Sequence, residues 1–136
     1  MVDAGKSTGG ARLSRINLEL ARSKQHAEGS ILEGYEFIAP LDASSHIDLD
    51  AWKRQRALCF VHRLERGAII ERGLLVHKAG GVGGATWAFD YEPGGAADEE
   101  AGYRFGAHAF TPGEYVSIRD EDGELLTYRV SSVKPA

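Results

Sequence analysis

The sequence predicts a mainly β, or α+β, chain: a small antiparallel β-barrel or roll of about six short strands, one or two short helices and a disordered N-terminus. Three observations carry this. Residues 110–133 read as turn, strand, tight turn, strand: Tyr115, Ser117 and Arg119 alternate with Val116 and Ile118, Asp122-Gly123 suits a two-residue hairpin turn, and Tyr128, Val130 and Val133 supply the return. Trp87, Phe89 and Tyr91 share one face of a strand, with Thr86, Ala88 and Asp90 on the other. Gly and Pro punctuate the chain at short spacing, leaving room for strands rather than long helices.

Taken in order, residues 1–11 are small, polar and Gly-rich and are expected to be disordered. Residues 12–33 are expected as an N-terminal helix or docking arm, because Leu13, Ile16 and Leu20 recur at helical spacing and Gly29-Ser30 closes the pattern. A single β-rich domain over 34–136 follows. Residues 34–39 alternate as a strand that Pro40 stops, and 42–48 read as a loop. Asp50 is expected to cap a short helix through 51–56, its carboxylate facing the free amides of the first turn. Residues 58–66 fit helix or strand; the β-prone Cys59-Phe60-Val61 favours strand. Residues 69–77 give the next strand, with Gly73 as a possible bulge. The loop 93–102 is polar and acidic, and 103–110 read as another short strand. The alternative is an open α+β sheet with the N-terminal helix on one face.

At 136 residues and 43% hydrophobic content the chain builds one core. No apolar run reaches membrane-spanning length and the N-terminus has no apolar segment, so the expectation is a cytoplasmic protein without a membrane partner. The lone Cys59 excludes an internal disulfide and a multi-cysteine zinc site. The net charge of −4 is uneven: residues 1–78 balance at +2 and residues 79–136 at −6. An acidic half repels a phosphate backbone, which makes nucleic acid an unlikely partner.

Few motifs carry chemistry. Gly5-Lys6-Ser7-Thr8 resembles the end of a phosphate-binding loop but lacks the upstream glycine and strand. Gly80, Gly81, Gly83 and Gly84 form a loop whose exposed amides could approach an anion, although no helix follows; a flexible hairpin loop is favoured. Metal binding needs three or four converging ligands. Of His26, His46, His62, His77 and His108, the weak candidates are His62, His77 and His108. In a strand, Cys59 and His62 point to opposite faces and cannot share a metal. Cys59 inside an apolar run reads as a structural thiol. Asp120 and Asp122 read as turn formers, and 98–100 as a solvated acidic stretch. Lys53, Arg54 and Arg56 beside Trp52, with Arg63 and Arg66 further on, make the densest cationic patch; Trp52 could stack a base or a partner's side chain, although a solvated helix face is favoured.

Residues 110–118, Phe-Thr-Pro-Gly-Glu-Tyr-Val-Ser-Ile, resemble the start of a barrel strand in ferredoxin-reductase-like flavin oxidoreductases, where a Pro-Gly-Gln-Tyr-Val type segment occurs. That family's later Arg-x-Tyr-Ser segment is not reproduced: Tyr128 and Arg129 stand in the reverse order. The resemblance implies a barrel; no flavin site is carried over.

The functional expectation is a binding or interaction module without catalytic activity or cofactor. Its surface would be formed by Trp52, Lys53, Arg54, Arg56 and the Gly80–84 loop, its partner a protein or a second copy. One alternative is a small metal- or cofactor-dependent enzyme using His62, His77 and His108. The other is weak nucleic-acid binding through the cationic residues between positions 53 and 66.

Overall fold

The computed structural model describes residues 10–22, 29–78, 87–91, 99–103, 105–119 and 123–136, and shows a closed antiparallel barrel. Its strands are β1 (Arg12–Leu20), β2 (Ser30–Leu41), β3 (Phe60–Glu65), β4 (Ala68–His77), β5 (Trp87–Asp90), β6 (Glu99–Tyr103), β7 (Tyr115–Arg119) and β8 (Leu125–Pro135). Each strand pairs with its neighbours in sequence, and β8 closes onto β1. A short helix α1 (Leu49–Gln55) and a 3-10 turn (Arg56–Leu58) separate β2 from β3; a second 3-10 turn (Phe105–Ala107) precedes β7.

Alternation along the strands decides what faces inward. On β1, Ile16, Leu18 and Leu20 are buried while Arg15, Asn17 and Glu19 face out. On β2, Tyr35, Phe37 and Ala39 point in; on β8, Tyr128 and Val130 do. An eight-stranded barrel is just wide enough for side chains to fill, and aromatic rings fill this one. Phe37 lies 5.2 Å from Phe89 and 5.7 Å from Phe110, and Tyr35 lies 5.2 Å from Phe89 and 5.1 Å from Tyr128. The segment before β7 contributes Phe105 and Phe110, both buried, whose rings lie 5.2 Å apart. Each such side chain contributes about 1.5–3 kcal/mol through burial. The aromatic pairs add about 0.5–1.5 kcal/mol. An apolar interior with charges on the outer wall is the inverse of a lipid-facing barrel. No helix among the described residues is long and apolar enough to cross a membrane.

Two glycines let strands approach closely. A Cβ on Gly73 would meet the backbone of Asp90 and Tyr91, with Tyr91 Cα at 2.7 Å; one on Gly34 would meet the backbone of Leu18, with its carbonyl carbon at 2.8 Å. Gly73 is therefore a close-approach site and not the expected bulge. Its pairing with Val61 is regular, and the register shifts on that side of the sheet lie between Arg63 and Leu64.

Other expectations are also corrected. Residues 12–20 form a barrel strand and not a helix or arm: the spacing of Leu13, Ile16 and Leu20 is overridden by the period-two burial of residues 16, 18 and 20. Eight strands are present among the described residues, against the expected number of about six. Asp48, not Asp50, caps α1; its Oδ1 accepts the Ala51 N–H at 2.9 Å, and Asp50 lies in the first turn. Residues 58–66 take the favoured strand reading as β3, preceded by the 3-10 turn. The strand expected over 103–110 is instead the end of β6 followed by a 3-10 turn. The loop expected over 93–102 is in part strand, since residues 99–102 belong to β6. Residues 1–9 of the stretch 1–11 expected to be disordered, Gly5–Thr8 among them, together with His26, the Gly80–84 loop, residues 93–98, Asp120 and Asp122, lie outside the described residues.

Candidate partner-binding surface

The cationic patch and its tryptophan part company in the fold. Trp52 is buried, and its indole N–H donates to Leu75 O at 3.0 Å. Its ring meets Trp87 edge-on at 5.4 Å and His77 at 6.1 Å. It is a core residue, and the expectation that it stacks on a partner is corrected. The amphipathic pattern of α1 explains this: Ala51 and Trp52 turn to the barrel, while Asp50, Lys53 and Arg54 face out.

Arg56 follows on the 3-10 turn. Its guanidinium carbon lies 5.6 Å from the Trp52 ring, a cation–π arrangement, and the residue is exposed. Among the described residues Lys53, Arg54 and Arg56 have no acidic partner. Beside them a cleft of about 300 Å³ opens between the 3-10 turn and β4. Trp52, Arg56, Ala57, Leu74, Leu75, Val76 and His77 line it, an apolar set rimmed by one cation. Leu58, directly after Ala57, is 54% exposed. Leu74 and Val76 had no functional reading in the sequence; their outward alternation on β4, opposite buried Leu75, is the signal that places them here.

Arg63 leaves the patch. It pairs with Glu71 at 3.2 Å and Glu65 at 3.8 Å, and Tyr35 opposes it on β2. Arg66 sits in the β3–β4 turn with φ 53°.

The three histidines occupy separate places. His62 faces outward on β3, with Nδ1 3.3 Å from Glu36 Oε1; Arg15 reaches the same carboxylate at 3.3 Å. His77 packs against Trp87 at 4.7 Å. His108 lies in the loop after the 3-10 turn rather than in a strand, its N–H donating to Phe105 O. No group of three or more His, Cys, Asp or Glu among the described residues could hold a metal ion.

Two arrangements resemble nucleophile sites and fail on geometry. Ser44 Oγ lies 3.0 Å from His46 Nδ1 and 2.8 Å from Asp42 Oδ1. In a catalytic triad the acid orients the histidine; here Asp42 takes the serine hydroxyl and the backbone N–H groups of Ser44 and His46. This is a local turn. Burial raises the Asp42 carboxyl, but those hydrogen bonds and the His46 charge outweigh it, and the group sits below its ordinary value. Cys59 is fully buried, and desolvation pushes its thiol up to about 11, the opposite of an activated nucleophile.

A larger cleft of about 540 Å³ lies where β1, β7 and β8 meet, lined by polar residues that include Glu19, Arg22, Tyr115 and Arg129. The Glu19–Arg129 pair, 3.4 Å, satisfies two of its charges internally.

A scan against protein-family models, a search of curated proteins and a search of solved structures each return no match to this chain.

Proposed function

We propose that the protein is a non-catalytic binding module that engages a protein partner, or a second copy of itself, at the cleft between the 3-10 turn and β4. The observation that carries this is the pairing of an apolar cleft with cations that have no acidic partner among the described residues, on the outside of a barrel whose described interior is packed with side chains. The described side chains pack the barrel interior, which directs recognition to the outside. Surface pockets with apolar walls and a few placed polar groups are where binding concentrates.

Two observations weigh against the other readings. An enzyme built on His62, His77 and His108 needs groups that converge, and these three sit on an outer wall, against a tryptophan and in a loop. Nucleic-acid binding loses its stacking platform with Trp52 buried, and one of its cations with Arg63 paired to glutamates.

Site-specific photo-crosslinking in the producing cell tests the proposal. A photoreactive residue at exposed position 57 is expected to give one discrete adduct, of twice the chain mass if the partner is a second copy; the same residue at position 129 is expected to give none. Adducts from both positions, or from neither, count against the reading.

A further inference from the structure

The cleft also carries information about the chemistry of its occupant. The Arg56 guanidinium carbon lies 5.6 Å from the centre of the Trp52 ring, which anchors the exposed cation at the rim of the cleft. Its N–H donors have no hydrogen bond or ion pair among the described residues. A guanidinium without an internal partner can bind a carboxylate through two parallel hydrogen bonds. Directly beside it the walls are Ala57, Leu74 and Val76. A group that satisfies both features pairs an apolar side chain with a carboxylate next to it.

Charge extends beyond the cleft. Lys53 and Arg54, in the last turn of α1, are exposed and unmatched among the described residues, and they do not line the cleft. A small organic acid would neutralise Arg56 alone and leave those two cations in place. A chain carrying several carboxylates meets all three. Cleft volume points the same way, since about 300 Å³ is the lower end of the range for a whole organic ligand.

We infer that the occupant is an acidic, apolar peptide segment of a protein partner, its apolar side chain seated between Ala57, Leu74 and Val76, one carboxylate on Arg56 and further carboxylates facing Lys53 and Arg54. This rests on the binding-module reading above and adds the partner's chemistry.

The test is selection of a displayed library of random peptides of about 12 residues, a length that spans such a groove in recognition complexes, against the full-length protein. Binding of the recovered peptides is then measured on the wild type and two surface variants. Arg56→Gln removes the carboxylate receptor, and Ala57→Gln narrows the cleft without adding charge. Thermal melts check that both variants fold; Arg56→Ala replaces the first and Ala57→Leu the second if either does not.

The expected result is enrichment of peptides with Asp or Glu within a few positions of Leu, Ile, Phe or Trp. Both variants weaken their binding about tenfold or more, a loss typical of an interface anchor. Raising salt from about 50 to about 300 mM weakens the wild type more than Arg56→Gln, because screening acts on the charged pair. If the enriched peptides are basic or neutral and only Ala57→Gln weakens them, the cleft reading stands and the acidic class is overturned. If a single-stranded oligonucleotide displaces them at equal concentration, the partner class is likewise overturned. If no peptide is enriched, or neither variant changes binding, both the inference and the binding-module reading fail.

Discussion

The close approach at Gly73 makes the sharpest stability prediction. A methyl group there would lie 2.7 Å from Asp90 C and from Tyr91 Cα, and nearer still to Asp90 O, whereas real Cβ atoms essentially never come within 3.0 Å. All three atoms are backbone, so no side chain can swing aside. The β4–β5 pair must separate by at least several tenths of an ångström along four paired positions, one of which sets Leu75 opposite Phe89 in the core. Overpacking of this kind costs about 1–3 kcal/mol. Stiffening of the unfolded chain returns about 0.4–1 kcal/mol. The expected net loss for Gly73→Ala is about 1–1.5 kcal/mol, a sizeable part of the stability of a small domain. At a urea slope of about 2 kcal/mol/M the midpoint falls by about 0.5–0.75 M with the slope unchanged. Gly106→Ala is the control: its Cβ would meet nothing closer than Trp87 Nε1 at 3.7 Å. That variant should stay within about 0.5 kcal/mol of wild type. If Gly73→Ala also unfolds within about 0.5 kcal/mol of wild type, or if Gly106→Ala costs as much, the close-approach argument is wrong.

Three further outcomes are expected. Arg66 and Gly67 form the β3–β4 turn with φ of 53° and 78°; Arg66→Asn, which tolerates that region better, should raise stability by about 0.5–1 kcal/mol, seen as a higher melting temperature. Phe37→Ala empties the centre of the aromatic cluster, where the ring is fully buried, and should cost about 3–5 kcal/mol by urea titration. Cys59 should react with a thiol reagent at pH 8 only as fast as the protein opens, and at once in denaturant. Because its folded value, about 11, is raised from an ordinary 9.0, the unfolded chain ionises first and stability should fall as pH rises from 9 towards 11. A Cys59→Ser variant should flatten that part of the profile.

The barrel was legible where alternation is clean. Val116 and Ile118 against Ser117 and Arg119 gave β7 with the expected side buried, and Trp87 and Phe89 gave the aromatic face of β5, with Tyr91 buried directly after it and Ala88 buried on the other face. It was not legible at β1, because residues 13, 16 and 20 fit a helical stripe while 16, 18 and 20 fit a strand, and only pairing with β2 and β8 decides between them. The number of strands was undercounted for the same reason.

The patch was legible as charge but not as shape. Lys53, Arg54 and Arg56 are exposed as expected, yet nothing local announces that Trp52 turns inward with Ala51; its bond to Leu75, 23 positions on, sets that. The apolar walls Leu74 and Val76 read in sequence as ordinary strand residues. They line a cleft only because the 3-10 turn folds beside them.

The most direct test of the central claim, that a filled barrel binds its partner on the outer cleft, is a titration of ¹⁵N-labelled protein with an acidic, apolar peptide, followed by amide and indole resonances. The account predicts shifts at Arg56, Ala57, Val76, His77 and the Trp52 indole N–H, with Phe37, Phe89 and Val130 inside the barrel unmoved. Shifts centred on the barrel interior, or on Tyr115 and Arg129 at the other cleft, would contradict it.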